Sequence, residues 1–283
     1  MSISTGSTTG GSTEVDYRAE AMAAGARVRR YGSWYAAEHR LRAMRAFAVT
    51  LIVLMFGNPL LYLLSLGLGL ATLVTAEVDG VSYLIFVAPA LLAGAALTGG
   101  AEESTYPVLV GFKFNPIFYA MAASPIAPRQ VANGIFIGTA VRVIPTVIVY
   151  YVIMLLFNAV PSPLGVATLL SASLVGMTAA TLVTWYTATV EDDKGQMAVI
   201  MRFIVMPLFL FSGTFFPLSQ LPIFLQWIGW ISPLWHATQL GRVLSYGMPE
   251  PIWLTVGHVV VLVVLFVLGW RGTHRVVQRR LSK

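Results

Sequence analysis

The sequence lacks cysteine altogether and has few charged residues. Without cysteine the chain forms no disulfide, carries no thiol nucleophile and offers no thiolate to a metal ion. Charged residues make up 11% of the 283 residues, whereas ordinary soluble domains carry about 25%. Hydrophobic residues make up 57%. The composition therefore indicates an all-α polytopic membrane protein, because apolar helices of about 20 residues are what cross a bilayer.

The sequence patterns of several enzyme classes are also missing. There is no phosphate loop of the form GxxxxGK followed by Ser or Thr, and no GxSxG nucleophile elbow. Adjacent Glu102 and Glu103 are interpreted as a polar helix end rather than an acid/base pair, and the acidic run at 191–193 as a solvated turn rather than a cation site. The histidines are scattered, with no pair at metal-binding spacing: His39, His236, His258 and His274. We expect no catalytic residue, metal or cofactor in this chain.

Positive charge is concentrated at the two ends of the chain. Seven arginines lie between residues 18 and 45, and four arginines with Lys283 lie between 271 and 283. Basic residues favour the cytoplasmic side of a membrane, so both termini are predicted to be cytoplasmic in the plasma (inner) membrane. This requires an even number of spans. Basic tails also bind nucleic acid, but beside so much apolar sequence the membrane surface is favoured, and we expect no nucleic-acid partner.

The apolar segments divide the chain into four regions. Residues 1–17, rich in Ser, Thr and Gly, are predicted to be disordered. Residues 18–45 are predicted to form an amphipathic interfacial helix, with a merely solvated basic helix as the alternative. Residues 46–270 contain the spans, and residues 271–283 form a basic cytoplasmic tail. Six spans are predicted, at 47–70, 81–100, 131–157, 164–190, 197–216 and 252–270.

The stretch between Arg202 and Arg242 has no charged side chain, yet it is not one helix. Residues 203–216 are apolar enough for a bilayer, but the part that follows contains three prolines and three tryptophans. Proline ends or kinks helices, and tryptophan collects where hydrocarbon meets water. We predict short outer helices that re-enter the membrane. The alternative, a seventh span at 218–240, would place the basic C-terminal tail outside.

Two further features are candidates for function. Arg142 lies well inside the predicted span at 131–157, where an ionisable residue is costly. Arg142 binds either a polar or anionic substrate group or a carboxylate across a subunit interface, or else it snorkels to the inner headgroups. In the inner loop, residues 116–123 are predicted to form a short helix that Ser124–Pro125 ends. This helix either docks on a cytoplasmic partner through its aromatic residues or lies flat in the membrane interface.

Two stretches carry a resemblance to a known family. AEESTYPVLVGFKFNPIFYAMAASPIAPRQVANG resembles the connection between the second and third spans of type-2 ABC exporter permeases. FLFSGTFFPLSQLP, followed by ISPLWHATQLGR, resembles that family's signature around the fifth span and the outer re-entrant helices. Over residues 40–275 the chain is similar to nodulation-factor and daunorubicin-resistance export permeases.

The resemblance implies half of a transporter, in which two six-span permeases, identical or paralogous, rest on separate ATPase subunits that hold ATP and Mg. The substrate would be a drug, a lipid or a lipid-linked saccharide. The resemblance also implies an inner coupling helix over 114–123 and an outer gate formed by helices over 221–240. The implied coupling residues are Lys113, Phe114, Asn115, Phe118, Tyr119 and Met121, and the implied gate residues are Phe215, Phe216, Trp227, Trp230 and Trp235.

Two other functional classes were considered. An ion-coupled secondary transporter would need carboxylates inside its spans to carry protons or sodium, and a membrane-embedded enzyme would need a nucleophile or metal cluster at that depth. The predicted spans contain neither. Both classes are therefore less favoured than the exporter permease, and the ion-coupled transporter is the runner-up.

Overall fold

The computed structural model describes residues 10–70 and 77–282, and its regular elements in these ranges are helices. An isolated bridge between Val78 and Val81 is the one strand-like pairing there. The all-α class is thus confirmed. Of the predicted disordered tail, residues 1–9 lie outside the described ranges, and residues 10–17 belong to the first helix.

Twelve α-helices form the described part of the chain. In order they are α1 (Gly10–Arg45), α2 (Ala48–Tyr62), α3 (Tyr83–Ser104), α4 (Tyr106–Phe112), α5 (Ile117–Ala122), α6 (Pro128–Leu156), α7 (Thr168–Thr189), α8 (Gln196–Ile200), α9 (Met206–Phe211), α10 (Ile223–Ile231), α11 (Pro233–Tyr246) and α12 (Ile252–Leu281). Two π-helical segments interrupt the regular winding, Leu63–Gly69 after α2 and Met201–Val205 between α8 and α9.

Five helices of the described ranges are long and apolar enough to cross a membrane. They are Ala48–Leu66, Tyr83–Phe112, Pro128–Leu156, Pro163–Thr189 and Ile252–Leu281. The predicted fifth span is represented by a shorter apolar run, Gln196–Phe211. The structure thus has five candidate spans, and the sixth remains a prediction.

The uncharged stretch after Arg202 is broken, as the prolines predicted. A 3-10 turn at Leu218–Gln220 precedes α10, and α10 and α11 are separated at Ser232. No single helix covers residues 218–240, which argues against the seven-span alternative. The short helices α10 and α11 agree with the predicted pieces, while their re-entry into a membrane remains a prediction.

Two helices extend beyond the predicted spans. The segment from Glu102 was predicted to be loop, but α3 continues to Ser104 and α4 follows directly. Glutamate is a good helix former, and Pro107 is tolerated because it lies in the first turn of α4. Residues 271–281, predicted as a tail, extend α12 because no proline ends it there.

The centre of the fold is the contact between α3 and α7. In the candidate span that contains α3, 72% of the most apolar window is buried, compared with 11% in the span that contains α2. Gly100 of α3 lies so close to α7 that a side chain there would collide with the Gly176 carbonyl, and a side chain on Gly176 would collide with the Ala96 carbonyl of α3 and with Val143. Small residues allow this approach, which is the usual basis of tight packing between membrane helices.

Two ends of the bundle are distinguished by their residues. The basic end is formed by α4, α5 and the last turns of α12, which carry Arg275, Arg279 and Arg280. The aromatic end is formed by α10 and α11, which carry the tryptophans. Helix α1 packs along α6 through Ala36, Ala37 and Gly134. Its predicted position at the membrane surface is untested.

Candidate functional site

A cavity of about 1000 Å³ lies between the end of α1, α2, α3, α6 and the run 196–211. Its wall contains three irregular points in the helices: Pro59 in α2, Pro145 in α6 and the π-helical segment Met201–Val205. Such points interrupt the regular hydrogen bonding of a helix, and π-helical turns often occur at functional sites. The cavity is large enough for a drug-sized molecule. Its apolar wall includes Leu51, Met55, Tyr62, Leu91, Tyr150 and Phe209.

Arg142 lies on the wall of this cavity and pairs with two carboxylates of α3. Its guanidinium donates to Oε1 of Glu103 and, at 3.2 Å, to Oε2 of Glu102. Glu103 accepts a second ion pair from Arg40 of α1, at 2.9 Å, and Arg40 also donates to the Glu103 carbonyl at 3.0 Å. These four residues, called the ionic cluster below, join α1, α3 and α6.

The centre of the ionic cluster is buried, while Glu102 at its edge is 48% exposed. The side chains of Arg40 and Glu103 are only 8% and 7% exposed. Burial lowers the pKa of Arg40, and the neighbouring Glu103 carboxylate opposes that shift. A buried charge is tolerated when it is paired and hydrogen-bonded, and Glu103 satisfies this condition with two arginines.

The cluster corrects the interpretation of the two glutamates. Glu103 is not a polar helix end at the surface but the centre of the ion pairs, and it lies inside the candidate span Tyr83–Phe112. The carboxylate that Arg142 needs is in its own chain, so a partner across a subunit interface is not required for it. The sequence does contain a signal for this pairing: an arginine lies inside one span, and two adjacent carboxylates lie late in the preceding span.

The predicted coupling segment contains the expected short helix, but one of its aromatic residues is internal. Helix α5 covers Ile117–Ala122, within the predicted 116–123. Phe118 is 3% exposed, and its ring centre lies 4.9 Å from that of Phe112 in an edge-on contact. Phe118 therefore anchors α5 and is not part of an exposed tip. Phe114 and Tyr119 are 58% and 40% exposed, Asn115 is exposed, and Met121 is half-buried.

Arg280 of α12 connects α5 to the neighbouring helices. Its guanidinium lies 4.3 Å from the centre of the Phe112 ring and donates to the Tyr119 hydroxyl at 3.2 Å. The same guanidinium donates to the carbonyls of Ala188 and Val190, both at 2.8 Å. Helices α4, α5, α7 and α12 thus meet at one side chain, which fixes the position of α5.

Lys113 adds a second tie beside α5. Its Nζ lies 2.9 Å from Oδ1 of Asp192, in the loop after α7. The hydrogen bond and charge of Lys113 lower the pKa of Asp192. The described residues contain no group of three or more His, Asp or Glu that could hold a metal ion. The acidic run at 191–193 is therefore connected to Lys113 rather than grouped as a cation site.

At the aromatic end, Arg242 is buried and forms no ion pair with any residue that the structure describes, although the charge of Asp79 opposes the effect of burial on its pKa. It donates to the carbonyl of Gly213 at 2.7 Å and to the side chain of Gln239 at 3.1 Å. Its guanidinium lies 3.7 Å from the centre of the Phe86 ring. Burial lowers the pKa of Arg242 to about 10. Arg242 thereby ties α11 to α3 and to the turn after α9.

Two histidines that are far apart in the sequence, His236 of α11 and His258 of α12, lie side by side at the aromatic end. The Nδ1 atoms of His236 and His258 lie 2.7 Å apart, and His258 Nε2 lies 3.0 Å from Oε1 of Glu250. His236 Nε2 lies 3.1 Å from the carbonyl of Trp230. Burial and the neighbouring His258 lower the pKa of His236 to about 4. The interpretation of these histidines as scattered is wrong for this pair, because it considered spacing within one helix only.

The predicted gate residues separate into two groups. Phe215 is packed 5.4 Å from the ring of Phe209, and its carbonyl accepts a hydrogen bond from Tyr83 at 3.1 Å. Phe216 and Trp235 are half-buried, and the Trp235 ring lies edge-on to both histidines of the pair. Trp227 and Trp230 are exposed on α10. Closure of an export path by these residues remains a prediction.

Known proteins resemble most of this chain. A family model described as ABC-2 type transporter matches residues 35–246. Nodulation protein J of Rhizobium leguminosarum bv. viciae is 26% identical over 250 residues, covering 85% of this chain and 92% of that protein. Inner membrane transport permease YadH of Escherichia coli (strain K12) is 26% identical over 202 residues, covering 68% and 75%. No solved structure gives a significant match.

Proposed function

The chain belongs to the ABC-2 type transporter family, which confirms the resemblance, and on that premise we propose that it is the permease subunit of an ATP-driven exporter. It forms the path for a hydrophobic or amphipathic substrate, such as a drug, a lipid or a lipid-linked saccharide. ATP is hydrolysed by a separate cytoplasmic subunit, which holds ATP and Mg, since this sequence has no phosphate loop. The chain itself is not an enzyme.

The cavity is the observation that carries the proposal. It is bounded by five helical segments, of which three belong to candidate spans, and its wall is mainly apolar. Arg142 and Glu102 are the charged groups that α6 and α3 add to that wall, beside the hydroxyls of Thr146 and Thr98. An apolar cavity with a few placed polar groups is the usual form of a small-molecule site. In a membrane protein of a transporter family, such a cavity suits a transported amphiphile.

The membrane arrangement follows from the same premise. In the proposal the run 196–211 is the fifth of six crossings, and α10 and α11 re-enter from the outer side. That run is about 24 Å long at 1.5 Å per residue, so residues 212–217 have to complete a crossing of about 30 Å. Both termini and the basic end are cytoplasmic in the inner membrane. Two permeases pair, within membrane lipid, over the ATPase subunits.

Helix α5 is the proposed contact with the ATPase. Phe114 and Tyr119 are exposed beside it, while Phe118 and Arg280 hold it against the bundle. A rigidly mounted helix with exposed aromatic residues is suited to transmit a movement of a bound partner. Lys113, Asn115 and Met121 border the same contact.

Reconstitution tests the proposed function directly. The permease and the ATPase encoded nearest to it are purified separately and incorporated into liposomes, alone and together. We expect ATP-dependent uptake of an amphipathic dye only with both proteins, and no ATP hydrolysis by the permease alone. Hydrolysis by rigorously purified permease would refute the division between the two subunits.

The docking proposal has its own variants. Tyr119→Asp and Phe114→Asp place a charge in the proposed contact, where an unpaired buried charge costs on the order of 3–5 kcal/mol. We expect the ATPase to be lost from the purified complex while the permease stays folded. Tyr31→Asp, on the exposed face of α1, is the matched control. Unchanged co-purification of Tyr119→Asp would favour a helix lying flat in the membrane interface.

The ion-coupled alternative is less well supported. Glu103 is a buried carboxylate in a candidate span, which the sequence interpretation had not found. However, Glu103 is enclosed by Arg40 and Arg142 rather than open to an exchangeable ion. Uptake by permease-only liposomes under a proton or sodium gradient would support this alternative.

A further inference from the structure

The charges on the cavity wall are strongly unequal. Three arginines line it, Arg45, Arg142 and Arg202, against one carboxylate, Glu102. Arg142 already pairs with Glu102, and the nearby Glu103 is shared between Arg142 and Arg40. Both carboxylates are thus already paired with Arg142 or Arg40. Neither Arg45 nor Arg202 forms an ion pair with any residue that the structure describes.

These two arginines lie at defined points of the wall. Arg45 is the last residue of α1, separated by two residues from the start of α2, and Arg202 lies in the π-helical segment Met201–Val205. Both side chains are exposed rather than folded into the core. Beyond them the wall is formed by apolar side chains of α2, α3 and α6. The cavity therefore joins a positively charged region to a hydrophobic one.

We propose that this cavity binds an amphiphile with an anionic headgroup, the headgroup at Arg45 and Arg202 and the apolar chain between α2, α3 and α6. Guanidinium groups bind phosphate, sulfate and carboxylate through paired hydrogen bonds. Such contacts are stronger beside hydrocarbon than in water, because the local dielectric constant is lower. A zwitterionic or cationic headgroup brings its own positive charge against the two arginines and is disfavoured.

This inference deepens the proposed export function and rests on it for the meaning of the site as a transport site. Binding itself requires neither ATP nor the ATPase, so it can be measured separately. Two sources supply the same chemistry. The occupant is either an exported anionic amphiphile or an anionic phospholipid of the surrounding bilayer.

The test uses the full-length permease in nanodiscs of phosphatidylcholine. The probes are dodecyl phosphate, dodecylphosphocholine and dodecyltrimethylammonium, which share one chain and differ in headgroup charge. Binding is followed by quenching of tryptophan fluorescence and by the melting temperature. We expect dodecyl phosphate to bind about tenfold more tightly than the other two, and high salt to reduce that preference.

Variants locate the preference in the cavity. Arg45→Gln combined with Arg202→Gln should abolish the preference for dodecyl phosphate, whereas Arg45→Lys with Arg202→Lys should retain much of it. Arg27→Gln, an exposed arginine of α1 outside the cavity, is the matched control. Equal binding of the three probes to the wild type would overturn the proposal. So would an unchanged preference in the glutamine double variant that melts like the wild type.

A competition arm separates the two sources. Nanodiscs containing phosphatidylglycerol should weaken dodecyl phosphate binding if a bilayer lipid fills the cavity, and should leave it unchanged if the cavity selects a single-chain exported amphiphile. Either result supports an anionic occupant. Retained binding without ATP-driven uptake would refute the export function alone, and uptake without headgroup preference would refute this inference alone.

Discussion

Buried arginines are held in two different ways at the two ends of this molecule. In the ionic cluster, Arg40 and Arg142 share the carboxylate of Glu103. At the aromatic end, Arg242 is held by the Gly213 carbonyl and the Phe86 ring and forms no ion pair among the described residues. Breaking the first arrangement strands a charge among apolar helices, whereas removing Arg242 leaves only neutral groups behind. We therefore expect the loss of Glu103 to destabilise the folded protein more than the loss of Arg242.

Cysteine labelling shows which of the two ends of the bundle is cytoplasmic, and its answer is all-or-none. The chain has no cysteine, so single cysteines can be introduced without background. In intact cells a membrane-impermeant maleimide should label Glu77→Cys, which lies in the segment before α3. The same reagent should not label Arg279→Cys until the cells are opened. Labelling of Arg279→Cys in intact cells would reverse the assignment and remove the six-span proposal.

The largest energetic effect is expected at Glu103. Glu103→Leu leaves the buried charge of Arg40 without an ion-pair partner, which should cost about 3–5 kcal/mol of unfolding free energy. The melting temperature of the detergent-purified protein measures this loss, and Glu103→Gln should lose less because the amide still accepts hydrogen bonds.

A double variant shows whether the stranded charge is the cause. Arg40→Leu with Glu103→Leu removes both members of the pair, and hydrophobic replacement of a buried pair is often neutral. Most of the stability should return, since Arg142 keeps Glu102. A double variant as unstable as Glu103→Leu would mean that packing, not charge, determines stability here.

A smaller loss is expected at Arg242. Arg242→Met removes the hydrogen bond to Gly213 and the contact with Phe86, and should cost about 2 kcal/mol. The same melting assay applies. If Arg242→Met proved more destabilising than Glu103→Leu, the distinction between paired and carbonyl-held arginines would not hold.

At pH values of about 6 and above, the smallest effect is the one that pH has on His236 at the aromatic end. The folded protein keeps the pKa of His236 near 4 instead of its ordinary 6.5, through burial and the neighbouring His258. Between these values the unfolded chain binds more protons, so stability should fall as the pH is lowered from about 6.5 towards 4. His236→Gln should show a smaller decrease in melting temperature over this range, while His39→Gln, at an exposed position, should behave like the wild type.

The sequence predicted those features that depend on composition and local chemistry. Apolar length located the long helices, and Pro222 and Pro233 predicted the breaks between the short helices of the aromatic end. The short helix before Ser124 was also predicted correctly.

The contacts between helices could not be predicted in the same way. Which side of a helix faces its neighbour depends on packing, so the pairing of Arg142 with Glu103 and of His236 with His258 was missed. Phe118 was assigned to an exposed tip for the same reason, because its aromatic character fits a docking surface and a core equally well. Periodicity identifies a helix but does not fix its rotation in a bundle.

The contact between Gly100 and Gly176 determines where this protein can change shape. Because the two backbones touch, α3 and α7 cannot slide along or roll over each other without first moving apart. Helices α3 and α7 are therefore expected to move as one unit. The opposite wall of the cavity, α2, is the most weakly buried of the candidate spans and begins three residues after Arg45, at Ala48. Any movement that opens or closes the cavity is therefore expected at α2 rather than between α3 and α7.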